Sequence, residues 1–519
     1  MFVHWVFSVH CRAIERLNEH KARSKSCICP TGWGIPAARR GPGEVRSTMS
    51  PQADYDVLIV GGGVLGTAVA ERLARTEVRV GLIEAENDVA EHASKGNAGV
   101  AVSYYGAPET LETQLINASA PLWEELCTRL DVPYRRIGGV MVALDADEAE
   151  RLEHTRDEVV ACGVAVEALE AGQVREREPL VSPQAVAGLL LPDEGIIDPM
   201  RLTAAYARLA ATNGCDFRFA ERVIAVDRDS DEVLLVTTNR SRLTARFVVN
   251  AAGVGAAEIS RLAGGEPLIS WPRKGQYAVV DRSFGQRLSS IVFCTHLPDT
   301  KGTNVVPTTH GSVLLGPTAH DIEDPDDRST DAETIEAVVE QAARLVPEVR
   351  DAYVMKTFAA NRPAGDEQHR LRFDAEVPNL VHCTDRSAGV SISPAAADYT
   401  LDLLRKAGLD APDSASAQQV LPPVPKLRTS EHPEQLVAEN PLSGMVVCAC
   451  EQVSSAEIEA ALTGPVPARS IEGVRKRTGA GYGRCQGSLC LAGISFMTAL
   501  HTGADPATVL HTTRGTVGS

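Results

Sequence analysis

The stretch YDVLIVGGGVLG, residues Tyr55–Gly66, decides the fold. Its consecutive apolar residues at 57–60 are typical of a strand that is buried on both faces of a parallel sheet. A glycine-rich turn follows at 61–66, and the composition from Thr67 to Arg75 predicts a helix. This order of strand, turn and helix predicts the first unit of an α/β fold.

The spacing of the glycines predicts a dinucleotide site in that turn. Gly61 permits a sharp turn, Gly63 lets the backbone approach a pyrophosphate, and Gly66 lets the helix pack close to the strand. The first N–H groups of the helix then face the phosphates. A second β-rich run at 78–83 ends on Glu84, an acid placed to accept hydrogen bonds from a ribose. The cofactor-binding residues predicted here are Gly61, Gly63, Val64, Leu65, Gly66 and Glu84.

Later segments narrow the choice of dinucleotide. They are SKGNAG at 94–99, RFVVNAAG at 246–253 and RSAGVSISP at 386–394. Together with the opening motif, they resemble the D-amino-acid oxidase superfamily of flavoproteins. The resemblance implies that one FAD is wrapped by these segments, with the first and last of them at the flavin ring. The further FAD contacts it implies are Ser94, Asn97, Ala98, Val223, Ala252, Gly253, Gly389, Val390 and Ser391.

Other strings resemble one branch of that superfamily, which contains anaerobic glycerol-3-phosphate dehydrogenase and L-2-hydroxyglutarate oxidase. They are PRKGQY at 272–277, VPTTHG at 306–311, LGPTA at 315–319 and NRPAGD at 361–366. Substrates of this branch carry a carboxylate or phosphate, which a planar arginine binds well. The resemblance implies that Arg362 anchors a small anionic substrate; a surface salt bridge is the alternative. Lys274, His310 and Tyr105 are further catalytic candidates, and for His310 a structural role is the alternative.

One departure from the resemblance affects the chemistry. Relatives with the string N-S-G-x-x-H have a histidine close to the flavin, whereas Ala101 or Val102 occupies the corresponding place here. The segment continues with Ser103, Tyr104 and Tyr105. The proton acceptor for an alcohol substrate is therefore open. An amino or imino acid that binds as the free amine would need no strong base, so an amino- or imino-acid oxidase is a second hypothesis.

Cysteines cluster near the C-terminal end as C-x-C at Cys448 and Cys450 and as C-x4-C at Cys485 and Cys490. Four thiolates in this arrangement can ligate a 2Fe–2S cluster, and nearby glycines free backbone N–H groups for the sulfurs. The pattern resembles the bacterioferritin-associated-ferredoxin-like domain. Structural zinc on the same four cysteines is the alternative, although zinc sites more often show C-x2-C pairs.

Composition limits the partners of the chain. The 519 residues carry a formal net charge of −17, which argues against nucleic acid and anionic membrane surfaces as partners. We expect a soluble, cytoplasmic protein without an integral membrane segment, attached at most peripherally to the inner face of the membrane. The basic first 48 residues lack a signal-peptide pattern and are interpreted as a non-native extension, with an organelle-targeting segment as the alternative.

The predicted architecture is a Rossmann-like FAD-binding domain, a discontinuous mixed-sheet substrate domain and a small, mostly helical iron–sulfur domain. Its divisions are an extension at 1–52, an oxidoreductase at 54–410, a proline-rich linker at 411–441 and a 2Fe–2S domain at 442–505. Within the oxidoreductase, FAD-binding segments are expected at 54–134, 194–270 and 356–410, and the substrate domain at 135–193 and 271–355. We expect hydride transfer from a small anionic substrate to FAD, with electrons passed to a quinone or to another protein chain. A third hypothesis is an electron-transfer or redox-sensing subunit.

Overall fold

The computed structural model describes residues 53–230, 232–295, 302–367 and 369–511. The extension interpreted at residues 1–48 lies outside this part of the chain. Among the residues described, no helix combines the length and the apolar composition that crossing a bilayer requires.

The first sheet is built around the strand Tyr55–Val60, as the opening motif predicts. This strand pairs in parallel with Arg242–Asn250 on one side and with Val80–Ile83 on the other. Because its interior residues are buried on both faces, the apolar run needs no alternation with polar residues. The strand order is Val223–Ser230, Val233–Thr238, Arg242–Asn250, Tyr55–Val60, Val80–Ile83 and Asp216–Arg218, with Leu380–Asp385 paired to Arg242–Asn250 and His369–Phe373 paired to Leu380–Asp385.

Helices cover this sheet and enclose the larger core. Helix Val64–Ala74 begins directly after the glycine turn, earlier than the predicted Thr67, and packs against Pro199–Thr212 and Gly389–Lys406. Asp198 caps the second of these helices by accepting hydrogen bonds from the amides of Met200 and Arg201. The other helices of the two main domains are Leu111–Ser119, Trp123–Leu130, Ala146–Ala161, Ala171–Arg177, Ala256–Leu262, Arg282–Gly285 and Ala332–Leu345.

The second sheet is mixed and belongs to the predicted substrate domain. Its longest pair is Ser270–Val280 with Val354–Gly365, an antiparallel ladder in which Arg273 lies opposite Arg362. Most of Val354–Gly365 falls in a segment that the sequence division assigned to the FAD-binding part. Helix Ala332–Leu345 packs on this sheet. The remaining strands are Gly139–Ala143, Glu167–Glu170, Ala187–Leu191, Ile291–Cys294, Asn304–Pro307, Val313–Gly316 and His320–Asp321, and a small separate sheet is formed by Val100–Ala101, Tyr134–Arg136 and Gly195–Ile197.

The proline-rich segment 411–441 is held against the rest of the chain. The carbonyl of Pro412 accepts a hydrogen bond from the amide of Glu77, and Lys426 forms an ion pair with Asp131 at 2.8 Å. It contains a short helix, Pro433–Glu439, because proline is tolerated in the first helical turn. The C-terminal module then consists of the strand pair Val446–Cys448 and Val453–Ser454 and the helices Ser455–Thr463, Ile471–Thr478, Leu491–Thr502 and Pro506–His511.

A buried ion-pair cluster joins this module to the first sheet. Arg477 donates two hydrogen bonds to the carboxylate of Asp88, at 2.6 and 2.7 Å, and Lys476 approaches the same carboxylate at 3.2 Å. Asp88 is 3% exposed and Lys476 is 1% exposed. Burial opposes the charged form of Asp88, but the two cations outweigh burial and lower its pKa to about 2.

We expect Asp88→Asn to weaken the attachment of the module by about 3–5 kcal/mol, because it leaves the buried Arg477 guanidinium without its carboxylate and Lys476 with Glu91 alone. The free energy of unfolding, measured by urea denaturation near neutral pH, checks this. The control is Asp398→Asn, which breaks the exposed pair with Arg72 and should cost less than about 1 kcal/mol. Since the pKa of Asp88 is lowered, its contribution is present above about pH 4 and is lost as the pH falls towards 2. Equal urea midpoints for the two variants would contradict the assignment.

Candidate functional site

A cavity of about 1030 Å³ runs from the glycine turn into the second sheet. At one end it is lined by the N-terminus of helix Val64–Ala74 and by the carboxyl ends of strands of the first sheet. Open α/β sheets bind ligands at this edge. At the other end its wall comes from the second sheet. Of the residues predicted to contact FAD, the wall includes Gly61, Gly63, Val64, Leu65, Glu84, Ser94, Asn97, Ala98, Val223, Ala252, Gly253, Gly389, Val390 and Ser391.

The glycine turn is fixed by hydrogen bonds to the side chains of Glu84 and Ser94. Glu84 accepts a hydrogen bond from the amide of Gly62 at 2.6 Å, and Ser94 accepts one from the amide of Val64 at 2.9 Å. Burial raises the pKa of Glu84, although backbone N–H donors oppose this shift. Gly61 has φ +113°, and a Cβ there would lie 2.4 Å from the carbonyl oxygen of Ala251. These features leave a cradle that only glycine allows, as a pyrophosphate requires.

Gly66 lies beneath this cradle and does not line the cavity. A Cβ at this position would lie 2.0 Å from the carbonyl oxygen of Gly61. We therefore expect Gly66→Ala to displace the helix start at a cost of about 1–3 kcal/mol. FAD affinity should fall roughly tenfold to a hundredfold, measured by fluorescence titration of the apoprotein. Gly172→Ala, where a Cβ meets nothing within 4 Å, is the control. Unchanged FAD affinity in Gly66→Ala would contradict the packing argument.

Arg362 stands on the wall contributed by the second sheet. Among the residues described, its guanidinium has no ion pair or hydrogen bond. Its charge acts on two cavity-lining phenols: burial raises the pKa of Tyr105 and of Tyr277 to about 12, and Arg362 opposes both shifts. The ring of Tyr277 stacks on Phe358 at 4.9 Å between centroids. On this part of the wall Arg362 therefore offers a cation to an anionic ligand, beside phenol rings that stay neutral.

The strand that carries Arg362 also contacts the early serine segment. A Cβ at Gly96 would lie 2.0 Å from the Cβ of Ala360, two residues before Arg362. Ser94 on the same segment holds the amide of Val64. Arg362 and the glycine turn thus line one cavity, and the contact between Gly96 and Ala360 connects the segments that carry them.

Two predicted catalytic residues lie elsewhere. Lys274 is buried and donates hydrogen bonds to Asp327 at 2.8 Å and to Ser329 at 3.1 Å. It is not among the described residues that line the cavity, and its charge is paired with the loop that precedes helix Ala332–Leu345. Tyr105, in contrast, does line it.

His310 lies at the contact with the C-terminal module and not on the cavity wall. Its Nε2 is 2.9 Å from a carboxylate oxygen of Asp198, and its Nδ1 is 3.7 Å from Glu451. Burial disfavours the charged imidazole, but hydrogen bonds with the two carboxylates outweigh burial and raise the pKa of His310. This geometry agrees with a structural role for His310, the alternative to a catalytic one.

Glu194 is a cavity-lining residue that the sequence analysis missed. It is 1% exposed, and its Oε1 accepts hydrogen bonds from the amide and the hydroxyl of Ser103, both at 2.8 Å. Oε2 has no hydrogen-bond partner in the part of the chain that the structure describes. Burial raises the pKa of Glu194 to about 7, against the effect of these hydrogen bonds. The only sequence signal was an acid directly before the apolar strand Gly195–Ile197.

The four clustered cysteines converge in the C-terminal module. Cys448 and Cys490 interact directly, as do Cys450 and Cys485, and charges on one pair affect the other. The amide of Gly481 donates to Sγ of Cys448 at 3.4 Å. The hydrogen bond with Cys490 lowers the pKa of Cys448, which favours the thiolate. A set of soft sulfur donors with backbone N–H support suits an iron–sulfur cluster.

The module touches the segment that forms the cavity wall. Glu472 of helix Ile471–Thr478 forms an ion pair with Lys95 at 3.0 Å, next to the cavity-lining Ser94. The hydroxyl of Tyr482 approaches Glu472 at 3.4 Å, and Tyr482 directly follows Gly481. A continuous path of bonds and short contacts therefore leads from a cluster cysteine to the wall of the cavity.

Known families match both parts of the chain. Residues 56–403 match the family described as FAD dependent oxidoreductase. The chain belongs to this family. Residues 446–496 match the BFD-like [2Fe-2S] binding domain, so this FAD dependent oxidoreductase also carries a 2Fe–2S module. The predicted fold class and both predicted cofactors, FAD and a 2Fe–2S cluster, are confirmed.

Individual relatives cover most of this oxidoreductase. It is 29% identical to glycerol 3-phosphate dehydrogenase of Caloramator mitchellensis, over 87% of this chain and 95% of the relative. It is 25% identical to one subunit of the anaerobic glycerol-3-phosphate dehydrogenase of Escherichia coli K12, over 84% and 86%. The solved structure of FAD-bound L-alpha-glycerophosphate oxidase from Mycoplasma pneumoniae superposes with a TM-score of 0.66 at 27% identity, covering 71% of this chain and 99% of that one.

Proposed function

We propose that this FAD dependent oxidoreductase oxidises glycerol 3-phosphate or a close relative, a small alcohol that carries an anionic group. The observation that carries the proposal is Arg362, a guanidinium without a direct ion pair or hydrogen bond among the residues described, on the wall of the cavity that begins at the glycine turn. Substrate phosphate or carboxylate supplies that counter-charge. The names of the relatives from Caloramator and Mycoplasma support the glycerol phosphate class.

Different residues along the cavity bind the cofactor and the substrate. FAD, when bound, would supply the hydride acceptor for the substrate carbon. The glycine turn, Glu84 and Ser94 hold the dinucleotide, Arg362 holds the substrate anion, and Tyr105 and Tyr277 shape the pocket and exclude water. The contribution of the protein is therefore position and charge complementarity.

We further propose that electrons leave through the 2Fe–2S module to another protein chain or a quinone. The short path from Lys95 through Glu472 and Tyr482 to Gly481 supports a relay between cavity and cluster. The Escherichia coli relative is named as a subunit, which supports an assembly with other chains. The proposed location is the cytoplasm, peripheral to the inner face of the membrane; the free state of the described cysteines suits a reducing compartment.

An anaerobic visible titration of the purified protein, with iron analysis, tests the proposal. Glycerol 3-phosphate should bleach the flavin band, whereas glycerol, which lacks the anion, should not. Reduction by 2-hydroxyglutarate alone would keep the hydroxy-acid class but change the substrate. Reduction by amino or imino acids alone, or by no substrate, would overturn the proposal in favour of an amine oxidase or of an electron-transfer protein.

A further inference from the structure

We infer that Glu194 is the catalytic residue that takes the hydroxyl proton of the substrate, at its Oε2 atom. The inference rests on the proposed oxidation of an alcohol. In that reaction the carbon–hydrogen bond gives up hydride, with its electron pair, to FAD. The hydroxyl O–H bond gives up a proton to Glu194, and the carbon–oxygen bond becomes a carbonyl. One proton, one hydride and one ketone account for all atoms and electrons of the alcohol.

The position of Glu194 follows from the small three-stranded sheet. Ala101 pairs with Gly195 in that sheet, so Glu194 lies beside the residues that follow Ala101. Its Oε1 is fixed by the amide and hydroxyl of Ser103. Ser103 therefore orients the carboxylate, the backbone N–H of Tyr104 also favours its ionised form, and Oε2 makes no hydrogen bond of ordinary geometry among the residues described.

Glu194 and Arg362 face the same cavity, and Tyr105 connects their positions. Both line its wall. Tyr105 is close enough to Arg362 for that charge to lower its pKa, and it follows Ser103 by two residues. Two residues of chain span at most about 7 Å. A substrate whose anion is held by Arg362 can thus place its hydroxyl near the Ser103–Glu194 pair.

The phenols and the thiol on this part of the wall are poorly suited to accept a proton at neutral pH. Tyr105 and Tyr277 have pKa values raised to about 12 by burial, so they remain protonated. The pKa of the Cys294 thiol is likewise raised, to about 11. His92 stands at the opposite, dinucleotide end, where it is 2.7 Å from Arg328.

Burial and the charged groups around Glu194 bring its pKa to about 7. Asp193 raises its pKa further, although Asp193 is itself paired with Arg136. Arg177 donates to the carbonyl of Ile137 beside the loop, and the hydroxyl of Tyr104 donates to Glu158 and not to Glu194. A carboxylate buried in this way accepts protons more readily than an exposed one.

The test compares the rate of flavin reduction in anaerobic stopped-flow mixing for the wild type, Glu194→Gln and Glu194→Asp, from about pH 5 to pH 9. In the wild type the rate should rise with pH through about 7, because only the ionised carboxylate accepts a proton. Glu194→Gln should be about 100- to 10,000-fold slower with no such rise. Glu194→Asp, which keeps the carboxylate, should retain the rise at an intermediate rate. Equal rates in the Gln and Asp variants, or a Gln variant as fast as the wild type, would overturn the inference.

The matched control is Glu178→Gln. Glu178 is also buried with a raised pKa, but it accepts hydrogen bonds from the amides of Ser289 and Ser290 and does not line the cavity. Its reduction rate should match the wild type. Infrared difference spectra of the holoenzyme add a readout without turnover: a protonated carboxyl band should vanish as the pH rises through about 7. The same band in Glu194→Gln would overturn the assignment.

Testing several substrates distinguishes a failure of this inference from a failure of the proposed function. If another hydroxy acid reduces the wild type and glycerol 3-phosphate does not, the proposed substrate fails while Glu194 is tested with that acid. If glycerol 3-phosphate reduces every variant equally, Glu194 fails while the proposed function stands. Reduction by amines alone overturns both, since no hydroxyl proton is then transferred.

Discussion

Arg362→Met should leave FAD bound and lower kcat/KM for glycerol 3-phosphate by roughly 30- to 5000-fold. The range corresponds to about 2–5 kcal/mol, the usual loss when one partner of a desolvated charge pair is removed. Methionine keeps much of the side-chain volume but removes the charge, so the aromatic wall around Tyr277 should hold its shape. Steady-state kinetics with an artificial electron acceptor and the visible spectrum of the bound flavin measure both effects.

Arg273→Met is the matched control for this variant. Arg273 lies directly opposite Arg362 on the neighbouring strand, and it already forms a two-pronged ion pair with Asp321 at 2.5 and 2.9 Å. Because that charge is used within the protein, its loss should change kcat/KM less than about fivefold, the size of an exposed ion pair. A comparable loss of activity in both variants would show that charge near the sheet, and not Arg362 itself, matters.

Local sequence patterns were sufficient to predict which residues lie at the glycine-turn end of the cavity. Gly61, Gly66 and Glu84 act within one strand–turn–helix unit, and the backbone geometry of that unit dictates glycine at fixed places. For the cysteines, the spacing sets only the distance within each motif, whereas Cys448 meets Cys490 and Cys450 meets Cys485 through the folding of the module. Family resemblance then located Arg362, whose cavity depends on strands far apart in the chain.

Long-range contacts explain what the sequence could not provide. Lys274 and His310 have the residue types of a catalytic site, but their charges are taken by Asp327 and by Asp198, which lie distant in sequence. Glu194 looked like an ordinary loop acid, since nothing in its neighbours predicts that Ser103 would bury it against the cavity. Burial and pairing of a charge are tertiary properties, and they decide which titratable groups remain available for chemistry.

Cys448→Ser should remove the 2Fe–2S cluster while the flavin remains. Iron should fall from about two atoms per chain to nearly none, because the cluster requires four thiolates and an oxygen ligand replaces sulfur poorly. Cys448 is the buried member of the C-x-C motif and accepts a hydrogen bond from the amide of Gly481, so its loss also removes a stabilising contact to the sulfurs. Iron and sulfide analysis, together with electron paramagnetic resonance of the dithionite-reduced protein, measures the loss.

Cys162→Ser provides the matched control for the cluster. Cys162 is a buried thiol outside the module that donates to the carbonyl of Gly106 at 3.3 Å, a hydrogen bond that a serine hydroxyl can keep. Its iron content and resonance signal should equal those of the wild type. Full iron in Cys448→Ser would show that the ligand set is wrong, and zinc in place of iron in the wild type would make the module structural. Because the module contacts the cavity wall through Lys95 and Glu472, cluster loss should also slow electron transfer out of the flavin while leaving substrate reduction of the flavin intact.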